Sequence, residues 1–325
     1  MTLDGHASAV LDRLIGLGSA DSVLVISDPS ADDAVVAALV AAVTEAQAGP
    51  ITISMPDVLK LGDELPRTVE TAMAMADVVL LVVQWLPAWV AAKGFWRAVH
   101  EYGTRVFQFD PPYRLALENG ITDAELATVA EHARTLRDRV RGADGLLIVD
   151  RFGNELRCRV DSTNLSVSSE FPGGFGFHKF PTGLFTLGVL PGSYAGRIVW
   201  DAVEGHPMRE GDLIEVEVAD GAVCRVAGQG TGMEHVAEQV AVCPAYALLT
   251  EFGLGTNPAL PQERFLREAW HEGANRSAGI VHFGLGSAKT RGGPENTLFH
   301  THLVARGTTV YALPDQVQVI TDGQI

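Results

Sequence analysis

The chain has 325 residues, 47% of them hydrophobic and 20% charged, which is material for two apolar cores and not the composition of a disordered chain. Its formal net charge of −16 excludes a surface built for nucleic acid or anionic lipid, because both need clustered Lys and Arg. The three cysteines, Cys158, Cys224 and Cys243, are scattered without a CxxC, so they argue against a disulfide framework or thiolate zinc and for a reducing cytoplasm.

The N-terminal MTLDGHASAV has no basic segment followed by an apolar one, so no signal peptide is read there. Ser22–Ser27 (SVLVIS) is a short apolar run between aspartates and reads as a strand buried on both faces. Ala31 to Ala48 is Ala-rich with acids near its start, which favours a helix. The apolar stretch from Ala74 to Val90 is broken by Asp77, Gln84 and Pro87, too short and interrupted to span a bilayer; Val78–Gln84 within it reads as a second strand. A helix over Ala92–Tyr102 and a strand over Arg105–Phe109 follow. Thr122 with Glu125 three residues on has capping-box spacing and opens an amphipathic helix to Arg141. Repeated βα units imply a parallel sheet, yet no GxGxxG or GxxxxGK follows any strand, so no nucleotide site is supported.

Beyond Gly145 the texture changes to Gly, Pro and short β-type runs: Leu146–Arg151, Leu156–Val160, Arg197–Asp201, Leu213–Val218 and Ala222–Gly228. Two helical stretches interrupt them, Met233–Val242 and Gln262–Glu272, and Thr309–Ile325 reads as a closing hairpin. The expected architecture is an α/β domain with a mostly parallel sheet over residues 1–145. An α+β, strand-rich domain over 146–325 follows and carries the chemistry.

Three segments of the second half carry that chemistry. In LFHTHLVARG, His300 and His302 stand two apart, so on a strand both imidazoles project from one face; the apolar flanks favour burial, and a shared metal ion is the simplest partner for two buried imidazoles. In LLTEFGLGTNP, Glu251 closes an apolar strand beside a Gly-rich turn; a solvated edge glutamate is the plain alternative. In GIVHFGLG, His282 lies on an apolar strand followed by another Gly-x-Gly turn, where a core imidazole is the plain alternative to a functional one. His178 and Lys179 sit in GGFGFHKFPTG, read as a Gly-rich loop able to face substrate, with a solvated pair as the alternative. Trp85, Phe95, Trp96, Phe175 and Phe177 are candidates for an aromatic pocket or for ordinary core.

The order EFGLGTNP, VHFGLG, GGPENTLFHTHLV and a terminal hairpin resembles the C-terminal half of the aminopeptidase T / leucyl aminopeptidase family, which also includes 2,5-dihydroxypyridine 5,6-dioxygenase-like enzymes. FPTGLFTLGVLPGSYAGRIVWD, DSVLVISDPS and ADVVLLVVQ are similar too, so the likeness covers nearly the whole chain. It departs from the peptidases at two places. They carry a glutamate directly after Pro-x-Gly, where this chain has Leu184, and an aspartate where it has His302. A site for two dications would lose negative charge at both. The resemblance therefore implies the dioxygenase branch: one Fe(II) (alternatively zinc or another divalent ion) held by Glu251, His300 and His302. His282 would be a fourth ligand or an acid/base group beside it, with His178 a further catalytic candidate. Substrate would be a hydroxylated N-heteroaromatic or similar small molecule with O2, and the protein a homodimer. The alternatives are a zinc or cobalt aminopeptidase and a non-catalytic binding member of the fold.

Overall fold

The computed structural model describes residues 2–60, 62–83, 86–109, 111, 113–119, 122–167, 176–207, 209–267, 274–286 and 299–325. Gln84, Trp85, Phe175, residues 268–272 of the second expected helix, and the GGPENTL segment lie outside them. Contacts divide the chain into two compact units, Met1–Leu126 with Glu170–Pro181, and Ala127–Ser169 with Thr182–Ile325. The change of texture near residue 145 falls inside the second unit, because Leu136 and Val140, upstream of it, pack into that unit's core.

In the first unit, β1 (Ser22–Ser27), β2 (Gly49–Ser54), β3 (Val78–Val82), β4 (Arg105–Phe109) and, from later in the chain, β7 (Phe177–Phe180) form a parallel sheet in the order β2-β1-β3-β4-β7. Every residue of β3 is buried, as a central strand of a parallel sheet requires. Side-chain alternation splits the apolar residues into two cores. Val23, Val25, Val78 and Leu80 pack with α1 (Leu3–Val10), α2 (Asp33–Glu45) and α6 (Tyr113–Glu118). Leu24, Ile26, Val79 and Leu81 pack with α3 (Arg67–Met75), α4 (Leu86–Ala91) and α5 (Lys93–Glu101). Asp32 caps α2 by accepting from the Ala34 N–H at 2.9 Å. The capping box ahead of α7 (Asp123–Arg139) is formed in both directions: Thr122 N–H donates to Glu125 Oε2 at 2.7 Å, and Glu125 N–H to Thr122 Oγ1 at 3.2 Å.

The second unit is a twelve-stranded sheet whose pairings are all antiparallel. Its strands are β5 (Gly145–Val149), β6 (Glu155–Val167), β8 (Leu184–Val189), β9 (Ala195–Trp200), β10 (Ala202–Val203), β11 (Leu213–Ala219), β12 (Ala222–Gln229), β13 (Leu249–Gly255), β14 (Val281–Gly286), β15 (His300–Ala305), β16 (Thr309–Leu313) and β17 (Val317–Ile320). The main path runs β10-β15-β14-β13-β8-β6-β5-β16-β17, with β9 joining β6 to β11 and β11 pairing β12. Helices α8 (Thr231–Val242) and α9 (Gln262–Arg267) complete it. One core gathers Phe185, Trp200, Val236, Phe252, Phe283 and Leu285, each side chain worth roughly 1.5–3 kcal/mol of burial. Among the described residues no helix is long and apolar enough to cross a membrane.

Asp201 pins the centre of this unit where β9 passes into β10. Its carboxylate is 1% exposed, pairs with Arg151, lies 3.3 Å from Arg306 Nη2 and accepts the Arg306 backbone N–H at 2.7 Å. Asp201→Ala would take the shared carboxylate away from two partly covered guanidinium groups, of which Arg306 keeps its pairing with Glu263. It is expected to lower unfolding stability by on the order of 2–3 kcal/mol, below the fully buried value because both arginines keep some solvent. The denaturant midpoint at unchanged slope checks this; a shift under about 0.5 kcal/mol would count against the pin.

Candidate metal centre

Three neighbouring strands, β13, β14 and β15, share one alternating pattern. Their even steps, Phe252 and Leu254, Phe283 and Leu285, and Leu303, enter the apolar core. The intervening positions carry Glu251, Gly253 and Gly255, then His282, Gly284 and Gly286, then His300 and His302, all on the opposite face. The register puts Glu251 across from Gly284 and Gly284 across from His302. One step along, Gly253 faces His282; one step the other way, Gly286 faces His300. Carboxylate and imidazoles are all buried, so they must satisfy one another or a shared partner.

The glycines make that crowding possible. A Cβ on Gly253 would land on the His282 ring, and one on Gly284 would come within 2.8 Å of Glu251 Cβ and 3.2 Å of His300 Cε1. Glu251 is further set by a register shift between Leu249 and Glu251, a bulge of the kind that re-aims a side chain. Tyr194 Oη donates to the Glu251 carbonyl oxygen at 3.1 Å and fixes the strand there. Burial holds that phenol well above its ordinary range, so it remains a neutral donor. Burial likewise pushes the Cys158 thiol up to about 12, which keeps it inert.

His300 Nε2 and His302 Nε2 are 3.2 Å apart with their rings at 89°. His302 Nε2 lies 3.9 Å from Glu251 Oε2, and His282 Nε2 lies 3.5 Å from Glu251 Oε1. One donor atom each from Glu251, His300 and His302 falls within 4.8 Å of the others. Metal–ligand bonds of about 2.1 Å place neighbouring donors about 3 Å apart, so this set can hold one divalent ion with small side-chain adjustments.

Glu251, His282, His300 and His302, all singled out in the sequence, thus meet on one face. The reading of Glu251 at a strand end before a Gly-rich turn is corrected: EFGLG is strand throughout, as is HFGLG, and the glycines serve close packing rather than turning. The loop reading of His178 is corrected too. It lies on β7 in the first unit, paired with Phe107 of β4 and with its ring stacked on that phenyl at 5.0 Å. Phe95, Trp96 and Phe177 pack edge to face in the first unit, as core residues do. Sequence reasoning missed Glu204, whose Oε2 accepts the His302 backbone N–H at 3.2 Å and lies 3.3 Å from His302 Nδ1. Nothing local in VEGHP marks it, since its partner is 98 residues away.

A family model described as NicX, 2,5-dihydroxypyridine 5,6-dioxygenase, matches residues 9–325. The chain belongs to this family. It is therefore an oxidoreductase of the dioxygenase class, acting on a small molecule with O2. Among solved structures, the chain is similar to a 2,5-dihydroxypyridine dioxygenase from Pseudomonas putida KT2440, with TM-score 0.82, 18% identity, and 99% of this chain and 96% of that one covered. It is also similar to AmpT from Thermus thermophilus, with TM-score 0.65, 15% identity, and 99% and 98% covered. At these identities the two structures speak to the fold, and they bear out the two-part α/β and strand-rich architecture. No curated protein sequence matches the chain.

The close packing of this face gives a direct test. Gly253→Ala is expected to cost about 1–3 kcal/mol, because the enclosed His282 ring has nowhere to retreat. Gly49→Ala on β2, with nothing within 4 Å of the added carbon, is expected to be near neutral. Thermal unfolding of both variants checks the contrast, and equal midpoints would overturn it.

Proposed function

We propose that this family member is a mononuclear Fe(II) ring-cleaving dioxygenase of 2,5-dihydroxypyridine or a closely related hydroxylated N-heteroaromatic, with Glu251, His300 and His302 as the iron ligands. The observation that carries the reading is the buried convergence of two imidazole nitrogens and one carboxylate, the donor set that leaves sites open on non-haem iron. Iron, when bound, supplies the redox chemistry that lets O2 react with an electron-rich ring. The protein's own part is positioning and proton handling. The single carboxylate balances part of a dication's charge, and the apolar core behind the sheet keeps water from that side. His282, against Glu251 on the same face, takes up the proton released when a ring hydroxyl binds as its anion. In this reaction class both oxygen atoms enter the ring-opened product, so turnover consumes O2 without an added reductant.

A homodimer in a reducing cytoplasm is part of the same proposal. The family resemblance supports the first. Three free cysteines support the second, one of them exposed without a disulfide.

Protein purified anaerobically is expected to carry about one iron per chain and to consume O2 on addition of 2,5-dihydroxypyridine. Glu251→Ala, His300→Ala and His302→Ala should each lose the iron, whereas His282→Ala should keep it and turn over at least tenfold more slowly. Two zinc or cobalt equivalents with leucyl-amide hydrolysis would replace this reading with the peptidase. Full iron in Glu251→Ala would remove Glu251 from the ligand set.

A further inference from the structure

We infer that Glu204 is a positioning residue that sets the ring of His302 for metal binding. The inference rests on the reading of His302 as a ligand and adds to it the device that aims the ligand.

The device arises where β10 stops. Val203 pairs with Leu303 of β15, and the Glu204 N–H still donates to the His302 carbonyl at 3.0 Å, as the next rung of the ladder would. The chain then turns away, with the His206 N–H bonded to Val203 O at 3.1 Å. The reciprocal bond, from the His302 N–H, goes to the Glu204 side chain: Oε2 accepts it at 3.2 Å in place of a strand carbonyl. The same oxygen lies 3.3 Å from His302 Nδ1. One carboxylate thus holds the backbone N–H and lies close beside the near edge of the ring.

The chemical consequence concerns the far edge. A carboxylate beside Nδ1 keeps the proton on that nitrogen and leaves the Nε2 lone pair as the donor. Nε2 is the atom that faces His300 Nε2 at 3.2 Å and Glu251 Oε2 at 3.9 Å. Without the carboxylate the ring could take the other tautomer, putting N–H where a lone pair is needed, or rotate out of the cluster. Glu204 keeps 28% of its side chain exposed, so it does not itself depend on burial for its place.

The test uses the full chain, stripped of metal, titrated with Co(II) alone and followed by its visible absorption. Glu204→Gln retains an oxygen for the His302 N–H but loses the charge beside Nδ1; Glu204→Ala loses both; His302→Ala is the reference for a broken site. Glu204→Gln is expected to bind Co(II) about 10–100-fold more weakly than the wild type, with the thermal midpoint of the metal-free protein unchanged. Glu204→Ala is expected to be weaker still. Wild-type affinity and an unchanged spectrum in both Glu204 variants, with His302→Ala losing the metal, would overturn the positioning role alone. A wild type that binds no more Co(II) than His302→Ala would overturn the ligand reading and this inference with it.

Discussion

A strand turns successive side chains to opposite faces, and on β13, β14 and β15 that period decides everything else about the candidate site. The apolar half of each strand packs Phe252, Leu254, Phe283, Leu285 and Leu303 into the second unit's core, which fixes the three strands laterally and in register. The other half must then lie on the opposite face, and the register brings Glu251, His282, His300 and His302 into one patch. Slipping any one strand by a residue would exchange its two faces, moving a carboxylate or imidazole into the apolar core and a phenyl or leucine into the polar patch. The hydrophobic core therefore acts as the alignment device for the chemistry.

That arrangement also explains why glycine alternates with the functional groups. Imidazole and carboxylate from adjacent strands cannot share a patch if every intervening position carries a Cβ. Gly253 and Gly284 leave the volume that the His282 ring and the Glu251 and His300 side chains occupy. A glycine inside a strand costs backbone entropy and packs nothing of its own, so the glycines of this face on the adjacent strands β13 and β14 mark a local sacrifice of stability for close approach.

This is also where sequence and structure part company in an instructive way. β1 and β3 were legible as continuous apolar runs, and Thr122 with Glu125 as a cap, because each signal is local. β2 was not, since GPITIS lies at a sheet edge and is mostly exposed, leaving no buried run to detect. β7 was not, because its partner β4 lies about 70 residues upstream and HKF alone reads as a loop. The i, i+2 spacing of His300 and His302 was legible as a shared face. EFGLG and HFGLG were misread as strand ends because glycine usually signals a turn; what glycine does here depends on the neighbouring strand, which a single segment does not contain. Glu204 depends on where β10 ends, a property of the assembled sheet.

The relation to the peptidase fold then turns on donor chemistry rather than architecture. AmpT and this chain are similar over nearly their full lengths, so the scaffold does not separate them. The two sequence departures from the peptidases, at Leu184 and His302, do. Leu184 begins β8 directly opposite Gly255 of β13, and its side chain offers no oxygen. His302 supplies a neutral nitrogen where a carboxylate would add charge. Each divalent ion brought into a buried site needs compensating negative charge, because two dications repel strongly where water is excluded. Among the described residues Glu251 is the carboxylate of the cluster, and it balances part of one ion's charge and far less of two. On the proposed reading, the same alternation that builds the patch suits a single metal and oxygen chemistry better than two-ion hydrolysis.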